Sequence, residues 1–232
     1  MADTLTNIEA DARFLSSNNS LDITTEGSIG LRNATMVHRG MTTPDWRMFG
    51  QKIGRRYPEY TIEDTSIKVT SGTENYPWLE SPVFIEEPFI ELLDVSSSNL
   101  PYPIEPVPSM QIWSDLDDSN NGPPKYYRRF YKGGEVVLAL RPKPDTTSDI
   151  IRISGIVEAD EFADGDSKTR FLNANADHAL ALFIAAFYQQ HFGKTDDAIA
   201  LIAQGVGLLP RYDYTPSIRP NGFIQTYPVL GV

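Results

Sequence analysis

Apolar positions in the first part of the chain recur at helical spacing. Leu5, Ile8, Ala12 and Leu15 share one face of TLTNIEADARFL, which predicts a helix over residues 4–15. Thr6 and Glu9 have the spacing of a capping box, in which each side chain satisfies the other residue's orphan backbone donor. SSNNS ends this helix, and residues 28–39 predict a second, short one interrupted at Gly30. TTPDWRMFGQKIGRR predicts a third from Pro44. There Thr43 is the cap, Pro44 suits the first helical position, Asp45 faces the positive end of the dipole, and Trp46, Phe49 and Ile53 line one face.

From Tyr60 to Phe130 the texture changes to short apolar or alternating runs, SIKVTSG, SPVFIEEPFIELLDV and SMQIWSDL, punctuated by Pro, Gly, Ser and Asn. Such punctuation predicts β-structure. Pro101, Pro103, Pro106 and Pro108 mark an extended segment, because each fixes φ and removes a ladder donor. The segment from Gly133 to Gly155 predicts a hairpin. Val136, Leu138 and Leu140 face one side of its first strand, and Val137 and Ala139 the other. The return strand, Ile150 to Val157, is apolar on both faces except at Arg152 and Ser154, the pattern of a covered strand. Two prolines stiffen the intervening RPKPDTTSD, so Arg141, Pro142, Lys143, Pro144 and Asp145 are expected to form a projecting contact tip.

Residues 177–192 predict the strongest helix, with Asn175 as cap and Gly193 as C-terminal stop. It is apolar around almost its whole circumference from Ala179 to Phe187, so it needs cover on several sides. Thr195 is the expected cap of a second helix, with Asp196 and Asp197 in its first turn and Pro210 at its end. The last stretch carries Pro216, Pro220 and Pro228 among Tyr212, Tyr214, Ile218, Arg219, Phe223, Ile224, Tyr227, Val229 and Leu230. A disordered tail is poor in such residues, so this is read as an extended arm whose aromatic and apolar side chains dock on a partner. The expected class is α+β: an N-terminal helical part (1–56), an antiparallel β-rich part (57–158), a C-terminal helical hairpin packing with the N-terminal helices (159–211) and an arm (212–232).

Composition narrows the function classes. The chain has 232 residues, 41% of them hydrophobic, enough for a buried core, and a net charge of −11. An acidic chain does not wrap nucleic acid by neutralising phosphates, but it suits a channel through which DNA slides without sticking. Cysteine is absent, which excludes disulfides and thiolate metal sites. MADTLTNIEADA lacks the basic and apolar regions of a signal peptide, and no apolar run reaches the ~18 residues of a membrane span. The expectation is a soluble protein made in a cytoplasm, with no membrane partner.

Candidate chemistry is sparse. His38, His178 and His191 make no HxxxH spacing and read as surface or capping residues. SDLDDSNNG matches the first half of a calcium loop from Asp117, but the position that should supply a bidentate Glu is Arg128. EADEFADGDS gathers Glu158, Asp160, Glu161, Asp164 and Asp166, read chiefly as a solvated loop. There is no phosphate loop and no GxSxG elbow, so no catalytic residue, resident metal or cofactor is expected. One run, Lys125 to Lys132, interleaves Arg128 and Arg129 with Tyr126, Tyr127, Phe130 and Tyr131. Tyr and Arg are favoured interface anchors, so this run reads as a strand edge or protein interface ahead of a single-strand nucleic-acid platform.

The order of elements over about residues 40–210 resembles the head-to-tail adaptor (connector, head-completion) proteins of tailed bacteriophages. N-terminal helices are followed by a β-rich insert with ENYPWLES, then GPPKYY before a strand, LRPKPD, and RISGIVEA closing the return strand. The small-residue-rich helix in DHALALFIAAFYQQHFGKTDDA and a second helix complete the order. The resemblance implies a virion structural protein and not an enzyme. It implies a homo-oligomeric, typically dodecameric ring that docks on the portal protein and meets a tail or nozzle component. Packaged DNA would pass through the lumen in transient contact, without sequence-specific binding. It also implies that the helices form the ring wall, that the β-rich part projects towards the tail, and that the arm reaches the portal or a neighbouring subunit; the stiffened Arg141–Asp145 tip is then the expected tail-side contact. An alternative from the residues is a carbohydrate- or ligand-binding β-module with a cation at Asp160–Asp166.

Overall fold

The structure, a computed structural model, describes residues 3–78, 84, 88–94, 101–116, 120–209, 217–218 and 224–225. Along the chain run α1 (Leu5–Ser16), α2 (Ile29–Thr42), β1 (Arg47–Met48), β2 (Gln51–Lys52), β3 (Thr61–Lys68), β4 (Asn75–Trp78), β5 (Phe89–Leu93), β6 (Tyr102–Pro103), β7 (Glu105–Pro106) and α3 (Met110–Asp115). They continue with β8 (Tyr126–Lys132), β9 (Glu135–Arg141), β10 (Ile150–Ile156), α4 (Ala174–His191), α5 (Thr195–Leu208), β11 (Ser217–Ile218) and β12 (Ile224–Gln225). The class is α+β, with helices in both the N-terminal and C-terminal parts and antiparallel sheets between them. Two compact units result. One holds residues up to Tyr60 and from Glu158 through α5; the other holds Thr61–Val157 and the β11–β12 pair.

The helical unit is organised around α4. Ala179 through Ala186 are all buried, and α1, α2 and α5 pack against this helix. The cover demanded by its all-round apolar surface therefore comes from the same chain, and neighbouring subunits are not needed to supply it. Gly205 of α5 lies against Phe183, so close that a Cβ there would sit 2.4 Å from the ring.

Local chemistry corrects several expectations. The α1 cap is Thr4, whose hydroxyl accepts from the Asn7 amide, and not the Thr6–Glu9 box. Glu9 is instead turned inward, accepting from the Ile23 amide at 2.7 Å and pairing with Arg13. Ser28 caps α2, which runs unbroken through Gly30. No helix starts at Pro44: β1 and β2 form a short hairpin there, and Asp45, Phe49 and Gly50 all adopt positive φ, outside the helical region. Asn173, not Asn175, caps α4, and Lys194 precedes α5 without a side-chain cap, leaving Thr195 as its first residue. Gly193 stops α4 at φ +75°.

In the β-rich unit two sheets, ordered β3-β10-β5-β6 and β4-β9-β8-β7, share one core of Ile67, Tyr76, Ile90, Leu92, Tyr127, Leu138, Leu140, Ile151 and Ile153 among others. The extended segment 102–107 serves both sheets: Tyr102 pairs with Leu92, and Glu105 and Pro106 run parallel to Tyr126 and Tyr127.

The predicted 133–155 hairpin is not formed. The strand β9 turns back onto β8 through Gly133–Gly134, both at positive φ as a two-residue turn requires, and β10 inserts between β3 and β5 of the other sheet. A strand apolar on both faces is covered on both, but this pattern does not say which strand is its neighbour. RPKPDTTSD is thus the crossing between sheets.

Candidate functional site

The expected contact tip is largely fastened to its own unit. Arg141 stacks on Trp113 at 4.7 Å, donates to the backbone carbonyls of Trp113 and Leu116, and pairs with Glu74 at 3.0 Å. The Gly122 and Gly72 amides donate to the Lys143 and Pro144 carbonyls, both at 2.8 Å, and Pro144 is buried. Pro142 is half-buried. Only Asp145 of the five expected contact residues is exposed, followed by Thr146 to Ser148.

Of the arm, Ser217–Ile218 pairs antiparallel with Ile224–Gln225, bringing Ile218 opposite Ile224. Tyr212, Tyr214, Arg219, Phe223, Tyr227, Val229 and Leu230 lie outside the described residues.

The acidic loop is spent on internal pairing. Asp160 meets Arg170 at 2.5 Å, Glu161 and Glu158 flank Arg39 at 3.1 and 3.9 Å, and Asp164 accepts from the Ser167 amide and hydroxyl. Among the described residues no three His, Asp or Glu side chains converge on a cation position. Asp117 and Ser119 of the calcium-like stretch lie outside the described residues.

His38 is not a surface residue. It is 1% exposed on the inner face of α2, stacked on Phe162 at 4.6 Å and edge-on to Phe171 and Tyr60. Its Nε2 lies 2.6 Å from the Tyr60 hydroxyl. Burial holds its pKa down at about 3, assisted by the Arg39 and Arg170 charges and opposed by the Asp160 backbone carbonyl. The ring is therefore neutral at physiological pH. Burial likewise raises the pKa of Tyr60. The sequence reading missed this aromatic box; the signal that could have found it is that His38 continues the Ala34, Val37, Met41 stripe of α2.

Among the described residues, two grooves are candidate surfaces for partners. Alongside α2, Arg32, Thr35, Met36, Arg39, Trp46 and Phe162 line a groove of about 590 Å³ of mixed charge. Alongside β8, Pro106, Val107, Pro108, Arg128, Phe130 and Tyr131 line another of about 610 Å³. In the helical unit the Gln189 side chain donates to the Ser16 carbonyl, and Tyr188 lies against Gly30. Phe14 on α1, Ile29 on α2 and Phe192 just past α4 are large apolar side chains exposed to solvent.

Comparison with protein-family models and with curated proteins finds no match to this chain.

Proposed function

We propose that this chain is a virion structural protein, a head-to-tail adaptor that forms a ring on the portal and joins the capsid to the tail around a DNA channel. The observation that carries the reading is the order of its elements: N-terminal helices, a β-rich insertion, then an apolar helix paired with a second. This is the order on which the resemblance to phage adaptors rests. Two features support an assembly role. The Phe14, Ile29 and Phe192 side chains expose apolar surface that a neighbour would cover. A net charge of −11 keeps a lumen from binding the DNA that passes through it.

The arm supplies a direct test. A chain lacking residues 214–232 should keep its thermal melt but no longer co-purify with the portal protein encoded in the same genome. A truncated chain that still co-purifies would remove the arm from the account.

A further inference from the structure

We propose that the groove along β8 is a docking site for an extended, acidic segment of a partner protein. The inference stands whether or not the chain assembles into a ring.

The shape of the groove comes first. The strand β7 occupies the slot beside Tyr126 and Tyr127, with the Val107 amide donating to the Tyr127 carbonyl at 2.9 Å. Pro108 then offers no donor, Ser109 caps α3, and the chain turns away. The groove continues where β7 leaves off, walled by Pro106–Pro108 on one side and by Arg128 to Tyr131 on the other. A space in line with a strand fits an extended peptide.

Charge complementarity selects the chemistry of that peptide. From Asn120 to Gly134 the sequence holds Lys125, Arg128, Arg129 and Lys132 and no acidic residue, within a chain of net charge −11. Among the described residues no carboxylate lines this groove, whereas Glu26 and Glu161 line the α2 groove. Among the described residues no carboxylate pairs with Arg128 or Lys132, although Glu135 stands opposite Lys132 across the turn. Most other arginines with described partners are neutralised: Arg13, Arg39, Arg141, Arg152 and Arg170 each meet a carboxylate. Leaving Arg128 unmatched beside a groove is what an incoming carboxylate would use.

Apolar anchors complete the site. Tyr131 is 81% exposed, and Met110, two residues past Pro108, is also exposed. Phe130 packs on the Val107–Trp113 cluster below. An acidic peptide with intervening apolar side chains therefore finds cations and an aromatic wall together. A nucleic acid fits less well. Stacking platforms need successive exposed rings, and Phe130 is half-buried.

The test is fluorescence anisotropy on the full chain with three probes: a short peptide alternating glutamate with phenylalanine and leucine, its lysine-for-glutamate counterpart, and oligo(dT). The acidic peptide should bind, more weakly as salt rises, and the lysine peptide should not. Arg128→Glu with Lys132→Glu should weaken binding at least about tenfold while the thermal melt is unchanged. The wild-type salt dependence provides the same discrimination if that variant does not fold. Equal binding of both peptides, no binding of either, indifference to salt, or no effect in a folded double variant would overturn the proposal. Oligo(dT) binding in place of the acidic peptide would reassign the groove to nucleic acid.

Discussion

His38 Nε2 and the Tyr60 hydroxyl lie 2.6 Å apart inside a wall of Phe162 and Phe171, in a place where the imidazole cannot take up a proton cheaply. The unfolded chain protonates His38 near its ordinary pKa of 6.5, whereas the folded chain resists until about pH 3. The unfolded state therefore binds more protons through this window, and stability must fall as pH falls from 6.5 toward 3.

The expected slope from His38 is about 1.4 kcal/mol per pH unit well below pH 6.5. Chemical denaturation between pH 7 and 5 isolates it, because most carboxylates are ionised in both states there. Replacing His38→Phe keeps the stacking on Phe162 but loses the Tyr60 hydrogen bond. The variant should be less stable at pH 7 by ~1 kcal/mol and show a flatter pH profile. A profile as steep as that of the parent chain would contradict this assignment.

Arg141 is predicted to be worth more as a plane than as a charge. Its guanidinium stacks on Trp113, reaches two carbonyls and pairs with Glu74, with its side chain only 12% exposed. A lysine preserves the charge but not the fork or the stacking. Arg141→Lys should lower the stability of the β-rich unit by about 2 kcal/mol in urea unfolding, and Arg141→Ala by about 3. A loss below about 0.5 kcal/mol for the lysine variant would show that the bridge to Glu74 acts as an ordinary surface pair.

Gly205 opposes two effects whose magnitudes decide the outcome. Alanine in a helix interior is favoured over glycine by about 1 kcal/mol. A Cβ at Gly205, however, lands 2.4 Å from the buried Phe183 ring, and overpacking costs about 1–3 kcal/mol. Gly205→Ala should therefore lower the melting temperature of the helical unit. A rise would mean that α5 slides away from α4 easily.

How far the chain could be read from its letters follows from which signals are local. The helices α1, α2, α4 and α5 were legible because apolar spacing and termini such as Ser28 and Gly193 are encoded within a few residues. The error at Pro44 has the same origin. A cap-like Thr43, Pro44 and Asp45 serve a turn as well as a helix start, and only the positive φ of Asp45 and Phe49 separates the two. The strands β9 and β10 were recognised as covered strands, but two-faced apolarity carries no register, so their separation into different sheets was not visible. Of the candidate surfaces, the basic aromatic run of β8 could be seen in sequence. The slot that makes it a groove depends on Val107 and Pro108 arriving from elsewhere in the chain.

The most direct measurement of the central claim is electron microscopy of the purified chain mixed with the portal protein encoded in the same genome. The adaptor account predicts closed rings of this chain seated coaxially on the portal, with an open central channel. Particles in which the chain stays monomeric beside a bare portal would contradict it.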